Sequence, residues 1–225
     1  MANQVYTFLM EPFDDLLKLA EIAHGHLCAG QILGVRMAML GCNRLGIDEP
    51  RGKDRKRLIT YVEIDRCATD AIGVVTGCRL GKRALKFRDW GKMAATFVDL
   101  ESNRALRIAA RESSKARARE LYPEIENKNQ QQMRAYRELP DSDLFSEEWV
   151  EVRIEPKEFP GYKGARIACA ECGEGINYER FIERDGKTLC LACADPEARY
   201  YQPTGTSVDY VTVTATISGS RCECS

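Results

Sequence analysis

Histidine is scarce in this chain, with two in 225 residues, and there are two tryptophans and eight prolines. An excess of either charge is missing too. Thirty-three lysines and arginines face 34 acids for a formal net charge of −1. That balance excludes a global field drawing the protein to nucleic acid or to an anionic membrane. No apolar run approaches the ~18 residues of a membrane span, because Arg36 and glycines interrupt the candidates. The first residues lack a basic-then-apolar leader pattern, and Glu11 and Asp14-Asp15 come early. Together these absences predict a cytosolic protein without a membrane partner.

Cysteine is plentiful. Its ten positions are 28, 42, 67, 78, 169, 172, 190, 193, 222 and 224, and the last six crowd into the final quarter. In a reducing compartment such a set favours metal binding or thiol chemistry over disulfides. The shift in composition predicts two parts: a core domain over 1–155 and a small module over 165–197. The Pro/Gly-rich stretch 156–164 would link them, and 198–225 would form a tail.

Both histidines lie in His24-Gly25-His26-Leu27-Cys28-Ala29-Gly30. Before this segment, Pro12–Ala23 has the helical spacing Phe13, Leu16, Leu17, Ala20, Ala23, with acids at its start. After it, Gln31–Leu45 is apolar on most sides, which predicts a buried helix. Gly34, Ala38 and Gly41 would let another backbone pack closely against it. Taken singly, each histidine or cysteine reads as a core residue. Taken together they form a candidate metal or catalytic cluster, either through His26 and Cys28 facing one way or through a helical His24/Cys28 pair.

Leu58–Ile64 reads as a strand, followed by Asp65 as N-cap and a short helix over Arg66–Thr76. Cys67 would sit in its first turn, where the dipole and Arg66 favour the thiolate and Asp65 and Asp70 partly oppose it. Cys78 would lie about 16 Å further along a continuous helix, too far to share an ion with Cys67, so Cys78 and Cys42 read as packing residues. The basic stretches 51–57 and 79–92 read either as an entrance for an anionic ligand or as solvated loop charge. Met93–Leu100 and Ala105–Ala109 predict a hairpin. Arg111–Tyr122 and Ile125–Leu139 are helical but lack a broad apolar stripe, which predicts surface helices or a partner-facing arm. Trp149–Ile154 predicts a last strand. Strands and helices mix without a βαβ repeat, so the fold class expected is α+β, with helices on a small sheet.

Cys169-x2-Cys172, seventeen residues, then Cys190-x2-Cys193 is the strongest motif. Each pair places two thiolates on one tetrahedral ion, and the intervening hairpin, turning at Asp185-Gly186, returns the second pair to the first. Four ligands fill the shell of a structural zinc, and so small a module depends on the ion to fold. A redox CxxC is the competing reading, and the matched second pair argues against it. Around this loop Glu171, Glu174, Glu179, Glu183 and Asp185 outnumber Arg180, Arg184 and Lys187, the wrong balance for nucleic-acid contacts. Cys222 and Cys224 are either metal ligands on a tail or oxidisable thiols.

The pattern His24-Gly-His-x-Cys28-x-Gly30, an apolar helix, then Glu63-x-Asp65-x-Cys67-x2-Asp70, Thr76-Gly77-Cys78 and Gly81-Lys82 resembles the FmdE component of molybdenum formylmethanofuran dehydrogenase. The resemblance covers about residues 10–155. It implies a dimeric α+β core whose His/Cys segment and later cysteine line a metal-containing cleft, with a treble-clef finger behind. It carries over His26, Cys28 and Cys67 as leading metal or catalytic residues, with His24 and Asp65 behind them. A position that is usually proline in the family is Ala29 here.

The implied setting is one-carbon metabolism and methanogenesis, as a homodimer or beside the other components of a molybdoenzyme complex. The redox step of that complex uses a pterin metal and iron–sulfur clusters on other chains, and no ferredoxin-type cysteine run occurs here. The cofactors expected are the structural zinc and a second metal in the core. The alternative is a non-catalytic module docking a molybdoenzyme or other partner through the finger and the charged helical arm.

Overall fold

A single helix that is apolar nearly all round organises the amino-terminal half of the chain. The computed structural model describes residues 10–204, and the chain divides into two units, Met1–Gly161 and Tyr162–Ser225. In the first unit the order is α1 (Phe13–His24), α2 (Ala29–Leu45), β1 (Leu58–Val62), α3 (Cys67–Thr76) and β2 (Leu85–Phe87). There follow β3 (Ala94–Asp99), β4 (Arg104–Ala110), α4 (Ser113–Leu121), α5 (Lys128–Glu138), α6 (Asp141–Leu144) and β5 (Phe145–Val150).

The strands form one mixed sheet in the order β2-β1-β3-β4-β5, parallel only between β1 and β2. Side chains alternate across it as a strand's two-residue period requires. Leu58, Val62, Ala95, Phe97, Leu106 and Ile108 join the core beneath the helices, whereas Ile59, Val98 and Ala105 form a second cluster on the other face. The fold is α+β.

The absent side chains of α2 set the packing distances. A Cβ on Gly34 would lie 2.5 Å from the Ala68 carbonyl oxygen and 2.8 Å from Ala71 Cβ, so α3 approaches here backbone to backbone. A Cβ on Gly41 would collide with the Phe97 ring, so β3 inserts its aromatic at that point. Fully buried Ile32, Val35 and Met37 fill the space between; side chains of this kind contribute about 1.5–3 kcal/mol each on burial.

The helices expected as a surface arm are part of this core. Tyr136 and Ala135 of α5 and Ala118 of α4 are fully buried. Arg36, projecting from α2, donates from Nη1 to the carbonyls of Tyr136 (2.9 Å) and Leu139 (2.5 Å) and from Nη2 to Asp141 (2.6 Å). These are the carbonyls a helix C-terminus leaves without intrahelical partners. The apolar stripe is narrow because its residues are small or polar: Gln131 is buried too and donates to the Tyr122 carbonyl at 2.8 Å. The last strand begins at Phe145, four residues before the predicted start, and β2 lies inside a basic stretch read only as loop.

After β5, a short 3-10 turn at Pro156–Glu158 is held against β2: Lys86 donates to the Glu158 carbonyl at 2.6 Å, and Arg83 donates to that of Lys157.

In the second unit β6 (Ile167–Ala168) pairs with β7 (Gly175–Ile176), and β8 (Phe181–Arg184) pairs with β9 (Lys187–Cys190) ahead of α7 (Leu191–Ala194). Asp185 (φ 51°) and Gly186 (φ 72°) make the two-residue left-handed turn that a tight hairpin requires.

Candidate metal centre

The His/Cys segment is a reversal of the chain, not an extension of α1. The helix ends at His24, and Gly25 takes φ 94° while its N–H donates to the Glu21 carbonyl at 2.8 Å. Only glycine adopts that conformation readily. The turn brings donor atoms of His24, His26 and Cys28 within 4.8 Å of one another. The two imidazoles stand with centroids 4.7 Å apart, and Nδ1 of His24 lies 2.8 Å from the Asp70 carboxylate on α3. A carboxylate on one ring nitrogen fixes the tautomer and leaves Nε2 to act as the ligand atom.

Cys28 is the N-cap residue of α2, in extended conformation, and its carbonyl accepts from Gln31 N (3.1 Å) and Ile32 N (3.3 Å). Asn129 of α5 reaches across to accept the Ala29 N–H at 3.2 Å. No local pattern announces this contact, because it joins residues a hundred positions apart. Cys67 opens α3 at the same end but does not join the 4.8 Å donor cluster, contrary to its expected place among the ligands. A Cβ on Gly30 would lie 3.1 Å from Cys67 Cβ and 3.7 Å from Cys28 Sγ, so this glycine allows the two cysteines to approach. Gln31, wholly buried, donates to the Cys67 carbonyl at 2.6 Å, and its Oε1 is buried without a hydrogen-bond partner among the described residues.

The N-cap of α3 is Arg66, without a side-chain cap bond, not Asp65 as expected. Asp65 is solvent-exposed and does not join the donor cluster; Asp70, one turn into the helix, provides the carboxylate instead.

The remaining core cysteines are packing residues. Cys42 and Cys78 are buried, and burial pushes the Cys42 thiol well above its ordinary value and raises that of Cys78. Cys78 occupies the far end of α3, where Thr60 donates to its sulfur at 3.5 Å. Cys222 and Cys224 lie outside the described residues.

In the second unit, sulfurs of Cys169, Cys172, Cys190 and Cys193 lie mutually within 4.8 Å. Backbone N–H groups already point at them: Cys190 N donates to Cys169 Sγ and Cys193 N to Cys190 Sγ, each at 3.3 Å. Backbone hydrogen bonds from Cys172, Cys190 and Glu171 bring the Cys169 thiol down to about 6, while hydrogen bonding with Cys190 and desolvation push Cys193 up to about 12. Four thiolates this close ionise together only around a cation. Zinc fits the set: four soft sulfurs, a closed shell and a structural role.

The two basic stretches come together at a separate place. Arg51, Arg55, Lys56, Arg79 and Lys82 line a cavity of about 740 Å³ with Leu19, Ala23, Leu58, Val74, Ala84 and Leu100.

An α+β core with a His/Cys cluster and a four-cysteine finger defines a class, and sequence comparison gives the same class. Residues 23–146 match the family described as FmdE, molybdenum formylmethanofuran dehydrogenase operon, and residues 162–198 match the prokaryotic dksA/traR C4-type zinc finger. The chain belongs to the FmdE family.

A protein of Archaeoglobus fulgidus, named as a probable S-adenosyl-L-methionine-binding protein, is 31% identical over 220 residues, covering 86% of this chain and 55% of the relative. The chain thus spans about half of that relative's length. The crystal structure of a tungsten formylmethanofuran dehydrogenase FmdE-like protein from Syntrophus aciditrophicus superposes with a TM-score of 0.59 at 18% identity, covering 86% of this chain and 97% of that one. This likeness supports the fold.

Proposed function

We propose that the amino-terminal unit is a metal-binding domain in which His24, His26 and Cys28 hold a transition-metal ion, with Cys67 beside it as fourth ligand or nucleophile. The observation carrying this reading is the convergence of three donor atoms within 4.8 Å on a glycine turn, with one imidazole oriented by a carboxylate. Two nitrogens and a thiolate suit zinc or iron. A bound ion would supply Lewis acidity toward a carbonyl or a water. The chain's own groups would orient the His24 ring through Asp70 and hold Cys67 at the helix start, where the free N–H groups of α3 favour a thiolate. On this reading the protein acts within or beside the formylmethanofuran dehydrogenase system, as a homodimer.

Docking to a molybdoenzyme as a purely accessory module is the competing reading. Of the two surfaces it relied on, the finger and the charged helical arm, the arm is folded into the core through Arg36 and Tyr136, which favours the metal-centre reading. S-Adenosylmethionine, suggested by the name of the Archaeoglobus relative, carries a net positive charge at neutral pH, and the basic cavity does not suit it.

The test is metal analysis of anaerobically purified wild type beside His26→Ala, Cys28→Ala and Cys67→Ala. The expected result is one metal beyond the finger's zinc in wild type, lost in His26→Ala and Cys28→Ala while the finger's zinc stays. Wild type containing the finger's metal alone would overturn the proposal.

A further inference from the structure

The cavity lined by the two basic loops has an unusual charge inventory. Its lining includes five cations, Arg51, Arg55, Lys56, Arg79 and Lys82, and no carboxylate. Several cations elsewhere on this unit are matched by acids a turn away: Lys18 with Asp15, Lys53 with Glu49, Lys115 with Glu112 and Arg117 with Glu120. Of the five, Arg51 pairs with Glu11. Among the described residues no carboxylate lies within ion-pair distance of Arg55, Lys56, Arg79 or Lys82. Like charges gathered at the mouth of a low-dielectric hollow repel one another unless an anion sits among them, and such a hollow focuses the field on that anion.

The hollow is also built. Gly77, in left-handed conformation at φ 68°, has no side chain, and a Cβ there would lie 3.1 Å from Arg51 Cγ, so the loop presses directly onto the end of α3. Leu19 and Ala23 of α1, Val74 of α3 and Leu58, Ala84 and Leu100 give an apolar wall. Leu19 remains 38% exposed although it faces this wall. At about 740 Å³ the space has the size of a small-molecule site rather than a macromolecular groove.

We propose that this cavity binds a small organic phosphate, its phosphate groups held by Arg55, Lys56, Arg79 and Lys82 and its apolar body resting on Leu19 and Val74. The charge count suits a diphosphate better than a single phosphate, because several long, mobile cations can share its oxygens. The site neighbours the metal cluster along the chain but is separate from it: Ala23 precedes His24, and Val74 is one helical turn beyond Asp70. The inference does not rest on the metal centre.

The test uses the full zinc-loaded chain and two probes: anilinonaphthalene sulfonate, an aromatic anion that fluoresces in apolar sites, and inorganic pyrophosphate as its competitor. The fluorophore should bind and be displaced by pyrophosphate. Arg79→Gln/Lys82→Gln should weaken both by about tenfold or more, the loss of charge-assisted bonds. Leu19→Ser should weaken the fluorophore alone. Lys115→Gln/Arg117→Gln, outside the cavity, should change neither. Melting temperatures of all variants, whose substituted side chains are exposed, identify any that misfold. Fluorophore binding unaffected by pyrophosphate, or an Arg79/Lys82 variant that binds as wild type does, would overturn the proposal. Equal displacement by citrate would overturn its phosphate part.

Discussion

At Asp70 a single carboxylate engages one nitrogen of the His24 ring, and the 2.8 Å contact with Nδ1 leaves Nε2 as the nitrogen available to a metal. Partners of this kind typically contribute about 10–100-fold in metal affinity. If the core site holds a metal as proposed, Asp70→Ala should release it at chelator concentrations lower by a factor in that range, while the finger's zinc is retained. Unchanged retention would mean that His24 is no ligand. Gly30 has a comparable role for the cysteines. In Gly30→Ala the new methyl pushes on Cys67 Cβ at 3.1 Å. Helix propensity gains about 1 kcal/mol, so thermal stability should stay near wild type while the core metal is held more weakly. Chelator competition beside a melting curve separates the two effects. The candidate residues His24, His26 and Cys28 were legible because they are local, and Cys67 through its motif. Asn129 and Gln31 were not, since each matters only through a contact across the fold.

Among the elements, α2 and α3 are bound by the absence of side chains at Gly34. Gly34→Ala sets a methyl against α3 at 2.5 and 2.8 Å, and overpacking of this kind costs about 1–3 kcal/mol, more than the propensity gain offsets. Urea unfolding of the variant should show a lower midpoint with unchanged slope, and an unchanged midpoint would contradict the close packing described. This approach was readable in advance, because small residues at 34, 38 and 41 in an apolar helix imply a close neighbour. The roles of α4 and α5 were not. Hydrophobic periodicity registers large apolar side chains, and this contact uses Ala118, Ala135 and the carbonyls that Arg36 caps. β2 escaped for a related reason: three residues paired in parallel to β1 leave no pattern within a basic stretch.

At the scale of the molecule, the two units depend on different forces. The amino-terminal unit rests on its apolar core and on paired charges such as the bidentate Arg107–Glu63 bridge, both contacts at 2.7 Å. Asp99 belongs to the same layer of control: desolvation raises its pKa, but hydrogen bonds from Arg57, Ser102 and the Glu101 N–H outweigh that and hold it below the ordinary value. A depressed folded-state pKa means that the unfolded chain binds more protons in acid. The contribution of Asp99 is therefore full above the ordinary carboxylate pKa of about 4 and is lost as pH falls through the lower folded value. Asp99→Asn should lower stability near neutral pH and flatten its fall as pH drops below the ordinary carboxylate value, measured by urea midpoints. The second unit has a five-residue buried cluster that includes two of its zinc ligands. Chelation should melt its hairpin while the unfolding transition of the amino-terminal unit persists.

Helix α3 begins with Cys67 beside the His/Cys cluster and ends at Thr76, capped by Gly77 at the basic cavity, a rod of ten residues between two candidate sites. With both proposed sites occupied, such a rod would be placed to couple them. If an anion bound as proposed shifted α3 along α2, Cys67 would move relative to Cys28, and linkage would make the effect reciprocal. A metal that draws Cys67 inward would change anion affinity by the same factor by which the anion changes metal affinity. Gly34, the point where α2 and α3 touch backbone to backbone, would be the bearing on which such a shift turns.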